Sequence, residues 1–182
     1  YLKTQRKQVN EEIATFEGIQ AELFNQDTHI LSKNIYGGDL SAESVEITKL
    51  ALWLKTANKN DKLTSLDNNI KCGNSLIDDK SIDEKAFDWN VEFKDIMDNG
   101  GFDVIVGNPP YGAKLNAGEK NFISKHYLSS EYQIDTYITF IEKSLSLLHS
   151  EGILSFITPT TWLNMYYFKN IRSMIINKTS IK

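Results

Sequence analysis

Apolar residues at Val9, Ile13, Phe16 and Ile19 recur at spacings of three and four, which predicts an amphipathic helix over residues 2–23. In NIYGGDL (34–40) a short β-prone run is ended by Gly37, Gly38 and Asp39. Ser41 then stands where it can cap a helix with the apolar face Val45, Ile47, Leu50, Leu52, Trp53 and Leu54. IKCG (70–73) is a second short strand that runs into the turn-forming Asn74 and Ser75. The acidic stretch 78–98, with Phe87, Trp89, Phe93, Ile96 and Met97 among its charges, predicts loop plus a short helix closed by Asn99-Gly100-Gly101. FDVIV (102–106) is a near-continuous apolar run of the kind a parallel strand buried on both faces requires, and it stops at the prolines of GNPPYG (107–112). Residues 113–131 are polar and predict a mobile loop with a short helix. The stripe Tyr137, Ile138, Ile141, Leu145 and Leu148 predicts a helix over 135–149 stopped by Gly152, followed by a buried strand (153–157) and a last helix (166–177). Strands alternating with helices mean an α/β architecture with a mostly parallel sheet. Ligands of such sheets collect at the carboxyl ends of the strands, where Asp39, Asn74 and the Asn108 turn all fall.

A chain of 182 residues, 41% hydrophobic and 24% charged, has the composition of a single globular domain spanning 1–182. No apolar run approaches the roughly 18 to 20 residues that cross a bilayer, and the polar start YLKTQRKQVNEE is unlike a signal peptide, so a cytoplasmic protein is expected. The lone Cys72 excludes an internal disulfide, and with His29, His126 and His149 it offers no metal-ligand spacing, so no metal is expected. A net charge of −4 argues against a uniformly basic nucleic-acid binder. Its distribution is uneven: residues 1–100 carry 12 Lys/Arg against 18 Asp/Glu, whereas 101–182 carry 8 against 6, so the later half is the better placed to face a polyanion. A start at Tyr1 rather than Met is expected of a piece of a longer protein.

The residues that carry chemistry are Asn108-Pro109-Pro110-Tyr111, set directly after a strand. Here the sequence resembles the adenine-specific (N6) DNA methyltransferases of type IIG restriction-modification systems. NIYGGDLSAESVEITKLALWL, IKCGNSLI, FDVIVGNPPYG and the stretch from DTYITFIEKSLSLL to GILSFITPTTWL fall in that family's order over most of residues 34–163. The resemblance implies a Rossmann-like methyltransferase fold, S-adenosylmethionine as cofactor, and double-stranded DNA with a flipped adenine as partner. The chemistry accounts for the turn. Adenine's exocyclic nitrogen has its lone pair delocalised into the ring, and two aimed acceptors on its hydrogens favour a pyramidal, nucleophilic nitrogen. The Asn108 side-chain carbonyl and the Pro109 backbone carbonyl, held by the two fixed φ angles of Pro109 and Pro110, can be those acceptors. They would also stabilise the positive charge that develops during transfer. Tyr111 would stack on a base that has left the duplex. A proline-rich turn that merely ends a strand is the competing reading.

The resemblance places the cofactor at Asp39 and Leu40 and at Asn74, Ser75 and Leu76. Asp39 would accept both ribose hydroxyls, or else serve only as a helix-capping aspartate. Asn74 with Leu76 would touch the adenine ring, or be a plain turn. Ile35, Tyr36 and Leu40 could line the adenosine pocket or belong to the core. Trp53 and Trp162 read as core packing. Lys114, Lys120 and Lys125, interleaved with Phe122 and Tyr127, read as a solvated loop or as contacts to the DNA backbone and the unstacked base.

The glycine-rich cofactor loop and first strand that the resemblance calls for before the opening helix are absent from the sequence, as are the later strands and the target-recognition region beyond Lys182. In the family's usual order that first strand lies mid-sheet, between the strand ending at Asp39 and the one ending at Asn108. The resulting incomplete sheet should be closed by a homodimer, by strand exchange or by direct pairing of the two flanking strands. A piece of this kind is expected to be inactive alone. Two other functions keep the same motif or fold: methylation of a protein glutamine amide or an RNA base amine, and a non-catalytic DNA-binding module.

Overall fold

The computed structural model describes residues 5–7, 9–10, 26–56, 65–130 and 133–181. The helix expected over 2–23 lies largely outside them. The chain divides into two compact units, Tyr1–Cys72 and Gly73–Lys182. Among the described residues no helix is long and apolar enough to cross a membrane.

In the first unit, helix α1 (Gln26–Asn34) leads into strand β1 (Gly37–Asp39), helix α2 (Ala42–Thr56) and strand β2 (Ile70–Cys72). The strand expected to end before its glycines forms on Gly37, Gly38 and Asp39 themselves, because its backbone pairs in parallel with Ile70, Lys71 and Cys72. Ladder partners, not side-chain propensity, decide so short a strand. As expected, Ser41 caps α2, its hydroxyl accepting from the Ser44 N–H at 3.1 Å. Buried Asn69 ties the unit together by donating its amide to the carbonyls of Ser32 and Ile35, both at 3.0 Å, so α1's last turn is capped from a distant residue. Leu31, Val45, Leu66 and Ile70 form the core, with Ile35, Leu52 and Trp53 packed against it.

In the second unit the acidic stretch condenses into two short helices, Trp89–Glu92 and Lys94–Asp98. Phe87, Trp89, Phe93 and Phe102 pack edge-on or tilted against one another there, with centroids 5.1 to 5.9 Å apart. Strand β3 (Phe102–Gly107) is followed by helix α3 (Ala117–His126), helix α4 (Thr136–Leu147), strand β4 (Leu148–Phe156) and helix α5 (Lys169–Lys178). The short helix expected within 113–131 forms as α3. Asn116 and Glu119 close a reciprocal capping box on α3, whose Phe122 and Ile123 are buried with Leu76, Ile77 and Tyr127.

Two further expectations change. Helix α4 ends at Leu147 rather than at residue 149, and Leu148 to Gly152 belong to β4, with Glu151 at φ 72° and a register break opposite Phe102 to Val104. Gly101 is needed at this crossing, since a Cβ there would sit 2.4 Å from the Leu147 carbonyl oxygen. Nor are β3 and β4 buried on both faces. Their parallel register sets Val104 beside Ile153 and Ile105 beside Leu154. Leu154 and Phe156 pack under Tyr137, Ile138, Ile141, Phe168 and Ile171 of the helical layer. Val104 and Val106, on the other face, are 56% and 72% exposed. One helical layer covers one face of a pleated pair, and alternation leaves the other in solvent.

The strands form two separate two-stranded parallel ladders, β1 with β2 and β3 with β4. Direct pairing of the strand that ends at Asp39 with the one that runs into Asn108 is thus not the closure adopted among the described residues.

Candidate active site

Gly107 pairs in register with Phe156, so the carboxyl ends of β3 and β4 lie side by side. The Ile157 N–H extends that pairing one step, donating to the Gly107 carbonyl at 3.3 Å. Pro109 and Pro110 have no N–H to continue it, and the chain turns. Asn108 is exposed, Pro109 buried, and Pro110 and Tyr111 exposed. The Tyr111 ring stands edge-on to Tyr137, with centroids 5.9 Å apart and planes at 84°. Its hydroxyl lies 2.7 Å from Asn108 Oδ1 and 3.0 Å from the Ile157 carbonyl oxygen, two acceptors for one proton. Among the described residues no donor is placed on the Pro109 carbonyl. Gly112 takes φ +59° with open space where a Cβ would stand, so conformation alone calls for glycine there.

The far side of the turn is held by the start of α4. The Gly112 N–H donates to Asp135 Oδ1 at 3.3 Å, and the Ala113 N–H to Thr136 Oγ1 at 3.4 Å. The Thr136 hydroxyl in turn donates to the Pro110 carbonyl at 2.6 Å. Behind these, the Tyr137 hydroxyl meets Thr161 Oγ1 at 3.2 Å, and burial raises its pKa above the ordinary phenol value. Sequence reasoning missed Asp135 and Thr136 as site residues. Their only local signal is an Asp-Thr pair opening a helix, which reads as a cap.

The other candidates are placed differently. Asp39 is exposed, and its Oδ1 accepts the Ser41 N–H at 2.8 Å at the entrance to α2. Leu40 is exposed beside it, and its carbonyl lies 3.5 Å from the Cys72 sulfur. Asp39 pairs with Cys72, so β1 and β2 also end side by side. Asn74 donates its amide to Asp83 Oδ2 at 2.7 Å and accepts the Leu76 N–H at 3.2 Å. That leaves one amide hydrogen and one lone pair for any ligand. The Ser75 carbonyl accepts the Trp89 indole N–H at 3.2 Å. Leu76 is buried, and its carbonyl accepts the Tyr127 hydroxyl at 2.7 Å.

Lys114, Lys120 and Lys125 are exposed, whereas Phe122 and Tyr127 are core residues. The suggested interleaving of bases with stacking rings therefore fails: helical periodicity turns the rings inward and the cations outward.

Residues 33–182 match the Eco57I restriction-modification methylase family. The chain belongs to that family. It is 36% identical over 168 residues to the type II restriction enzyme and methyltransferase RM.Eco57I of Escherichia coli, covering 84% of this chain and 16% of that one. With the putative type II restriction enzyme and methyltransferase RM.MjaORFECS2P of Methanocaldococcus jannaschii it shares 37% identity over 98 residues, 54% of this chain and 8% of the relative. The chain therefore spans only a small part of the length of these curated relatives. A chain of the DrdV–DNA complex, solved by cryo-electron microscopy, matches 82% of this chain over 16% of its own length with a TM-score of 0.59 and 17% identity, a likeness of fold. Every candidate residue, from Asp39 to Thr136, falls within the stretch matched to the Eco57I family.

Proposed function

We propose that the chain supplies the base-binding turn and part of the cofactor site of a DNA methyltransferase of a type IIG restriction-modification system, which transfers a methyl group from S-adenosylmethionine to the N6 amine of adenine. The observation that carries this reading is the pair of oxygens at the end of β3. Asn108 is exposed, and the carbonyl of the buried Pro109 has no donor among the described residues, so both oxygens keep acceptor capacity for a ligand amine. Asn108 Oδ1 already meets the Tyr111 hydroxyl at 2.7 Å, and a carbonyl oxygen with two lone pairs can accept a second hydrogen.

The residues also suit the cofactor. Ribose hydroxyls need acceptors, and Asp39 is an exposed carboxylate of which, among the described residues, one oxygen is engaged, by the Ser41 N–H. Asp39 with Leu40 would hold the ribose, and the remaining capacity of Asn74, with Ser75 and Leu76, the adenine edge. When bound, S-adenosylmethionine supplies an electrophilic sulfonium methyl. Asn108 Oδ1 and the Pro109 carbonyl then hold the two amine hydrogens of a flipped adenine and localise the nitrogen lone pair. The same oxygens would stabilise the positive charge the nitrogen acquires as its bond to the methyl carbon forms and the carbon–sulfur bond breaks, the neutral thioether leaving and one nitrogen proton passing to water. Tyr111 would stack on the base, its neighbour Tyr137 limiting how far the ring swings. Double-stranded DNA is the partner. A second copy or an exchanged strand would complete the sheet.

Tritiated S-adenosylmethionine offered to the full-length protein together with DNA, RNA and protein fractions tests the assignment. Label recovered as N6-methyladenine in DNA is expected. Label in RNA or in protein glutamine would transfer the same chemistry to another substrate, and cofactor binding without transfer to any fraction would leave a DNA-binding module.

A further inference from the structure

The three bonds between the turn and α4 share a pattern. Each runs from a side chain at the helix start to the backbone of the turn, and together they engage Pro110, Gly112 and Ala113. Thr136 does both jobs with one hydroxyl, accepting from the Ala113 N–H and donating to the Pro110 carbonyl, so it clips together the two ends of the Tyr111-Gly112 apex. Thr136 itself is 3% exposed, so its hydroxyl depends on these two partners. Asp135 occupies the N-cap place of α4 yet makes no cap hydrogen bond with its side chain. An aspartate at that place ordinarily caps its own helix, and here its carboxylate lies against the Gly112 N–H instead. None of these bonds involves Asn108 Oδ1 or the Pro109 carbonyl, so the clip fixes their direction without occupying them.

We infer that Asp135 and Thr136 are positioning residues of the base-binding turn: they hold the Asn108 and Pro109 oxygens at the angle the substrate amine requires. The inference rests on the reading of that turn given under Proposed function. It predicts an effect on the rate of transfer rather than on binding, because misdirected acceptors leave the contacts to cofactor and DNA backbone intact.

The test uses the full-length protein with Thr136→Val, which keeps the shape and removes the hydroxyl, and Thr136→Ser, which restores it. Hydrogen–deuterium exchange over residues 108–116 should accelerate about tenfold in Thr136→Val and return to the parent value in Thr136→Ser. With S-adenosylmethionine and DNA, kcat should fall about tenfold or more in Thr136→Val while both KM values stay within about twofold, and Thr136→Ser should recover the rate. Parent-like exchange in Thr136→Val overturns the inference. So does faster exchange with an undiminished kcat, or a serine variant as impaired as the valine one. If the parent protein methylates no adenine, the reading of the turn falls, while the exchange comparison of valine and serine still decides whether the clip orders it. Should Thr136→Val not fold, Asp135→Ala carries the same two measurements, with faster exchange and reduced kcat expected.

Discussion

The two strand ends that carry candidate residues are built in opposite ways. At the end of β1 the Asp39 side chain bonds a residue two positions on, and just past β2 the Asn74 side chain bonds residues two and nine positions on, with the weak Cys72 thiol contact to the Leu40 carbonyl at 3.5 Å as the longer-range tie. At the end of β3, the turn from Asn108 to Ala113 is held by partners 23, 26 and 46 residues away, drawn from α4 and from the segment after β4. Local bonds of the first kind satisfy a helix entrance or a tight turn wherever the sequence places them. Long-range bonds of the second kind must repay the entropy of ordering separate segments. A turn that two distant segments hold together is kept in one geometry, as a turn that aims acceptors must be. The comparison gives the β3 end the stronger claim to chemistry and leaves the β1 end as an acceptor that also serves its own helix.

Asn108→Ala should break the comparison hardest. In the full-length protein it is expected to lower DNA methylation by about a hundredfold or more, as loss of one oxyanion-type partner does. Because Asn108 is exposed, the unfolding midpoint should stay where it is. A variant that keeps the parent's rate would reduce the β3 end to a structural turn. Asp39→Ala comes next. As a ribose acceptor Asp39 should strengthen cofactor binding by about tenfold or more, through charge-assisted hydrogen bonds. As a cap alone it would give about 1 kcal/mol of stability and no affinity. Titration calorimetry with S-adenosylmethionine beside a denaturant melt separates the two.

Much of the architecture is legible in the sequence because it is written in short range. Ser41 stands before the apolar face of α2, the run at 102–106 announces β3, and prolines 109 and 110 fix where it stops. What the sequence hides is longer in range or shared between two signals. An apolar run shows that Val104 and Val106 suit a covered face, but which face a helical layer covers depends on the β3–β4 register. Leu148 satisfies both the helical stripe of α4 and the alternation of β4, so periodicity alone set the boundary two residues late. A short helix is expected within 113–131, but its extent over 117–126 is set by the Asn116–Glu119 capping box, a signal that hydrophobic period passes over. Asp135 and Thr136 look like a cap because the bonds that define them reach 23 and 26 residues back along the chain.

Buried long-range bonds should also dominate stability. The Tyr127 hydroxyl donates at 2.7 Å to the Leu76 carbonyl, 51 residues away. Tyr127→Phe leaves that carbonyl without its partner and should cost about 1 to 2 kcal/mol in a denaturant melt. Burial pushes the Tyr127 hydroxyl well above its ordinary pKa. The folded state therefore holds that proton more tightly than the unfolded chain. Its contribution is complete below the ordinary phenol value and declines as pH rises from there toward the folded-state value. The parent should lose stability in alkali more steeply than Tyr127→Phe, and equal slopes would mean that the hydroxyl titrates freely.

The smallest effect belongs to a pair in the first unit that joins a buried lysine to an open carboxylate. Lys49 Nζ lies 2.6 Å from Asp67 Oδ1 and 2.9 Å from Glu46 Oε1, with the Asp67 side chain 74% exposed. The hydrogen bond from Lys49, then that from Ser65, holds the Asp67 carboxyl below its ordinary pKa. A depressed carboxylate contributes stability that is present above the unfolded value and disappears as pH falls through the folded one. Asp67→Asn should therefore flatten the acid limb of a stability–pH curve slightly while leaving the neutral plateau nearly unchanged, since Glu46 still pairs with Lys49 and water screens the open carboxylate side. A drop at neutral pH as large as that of Tyr127→Phe would show that a bond open on one side can matter as much as a buried one here. The contrast between locally and remotely secured strand ends would then have to rest on activity alone.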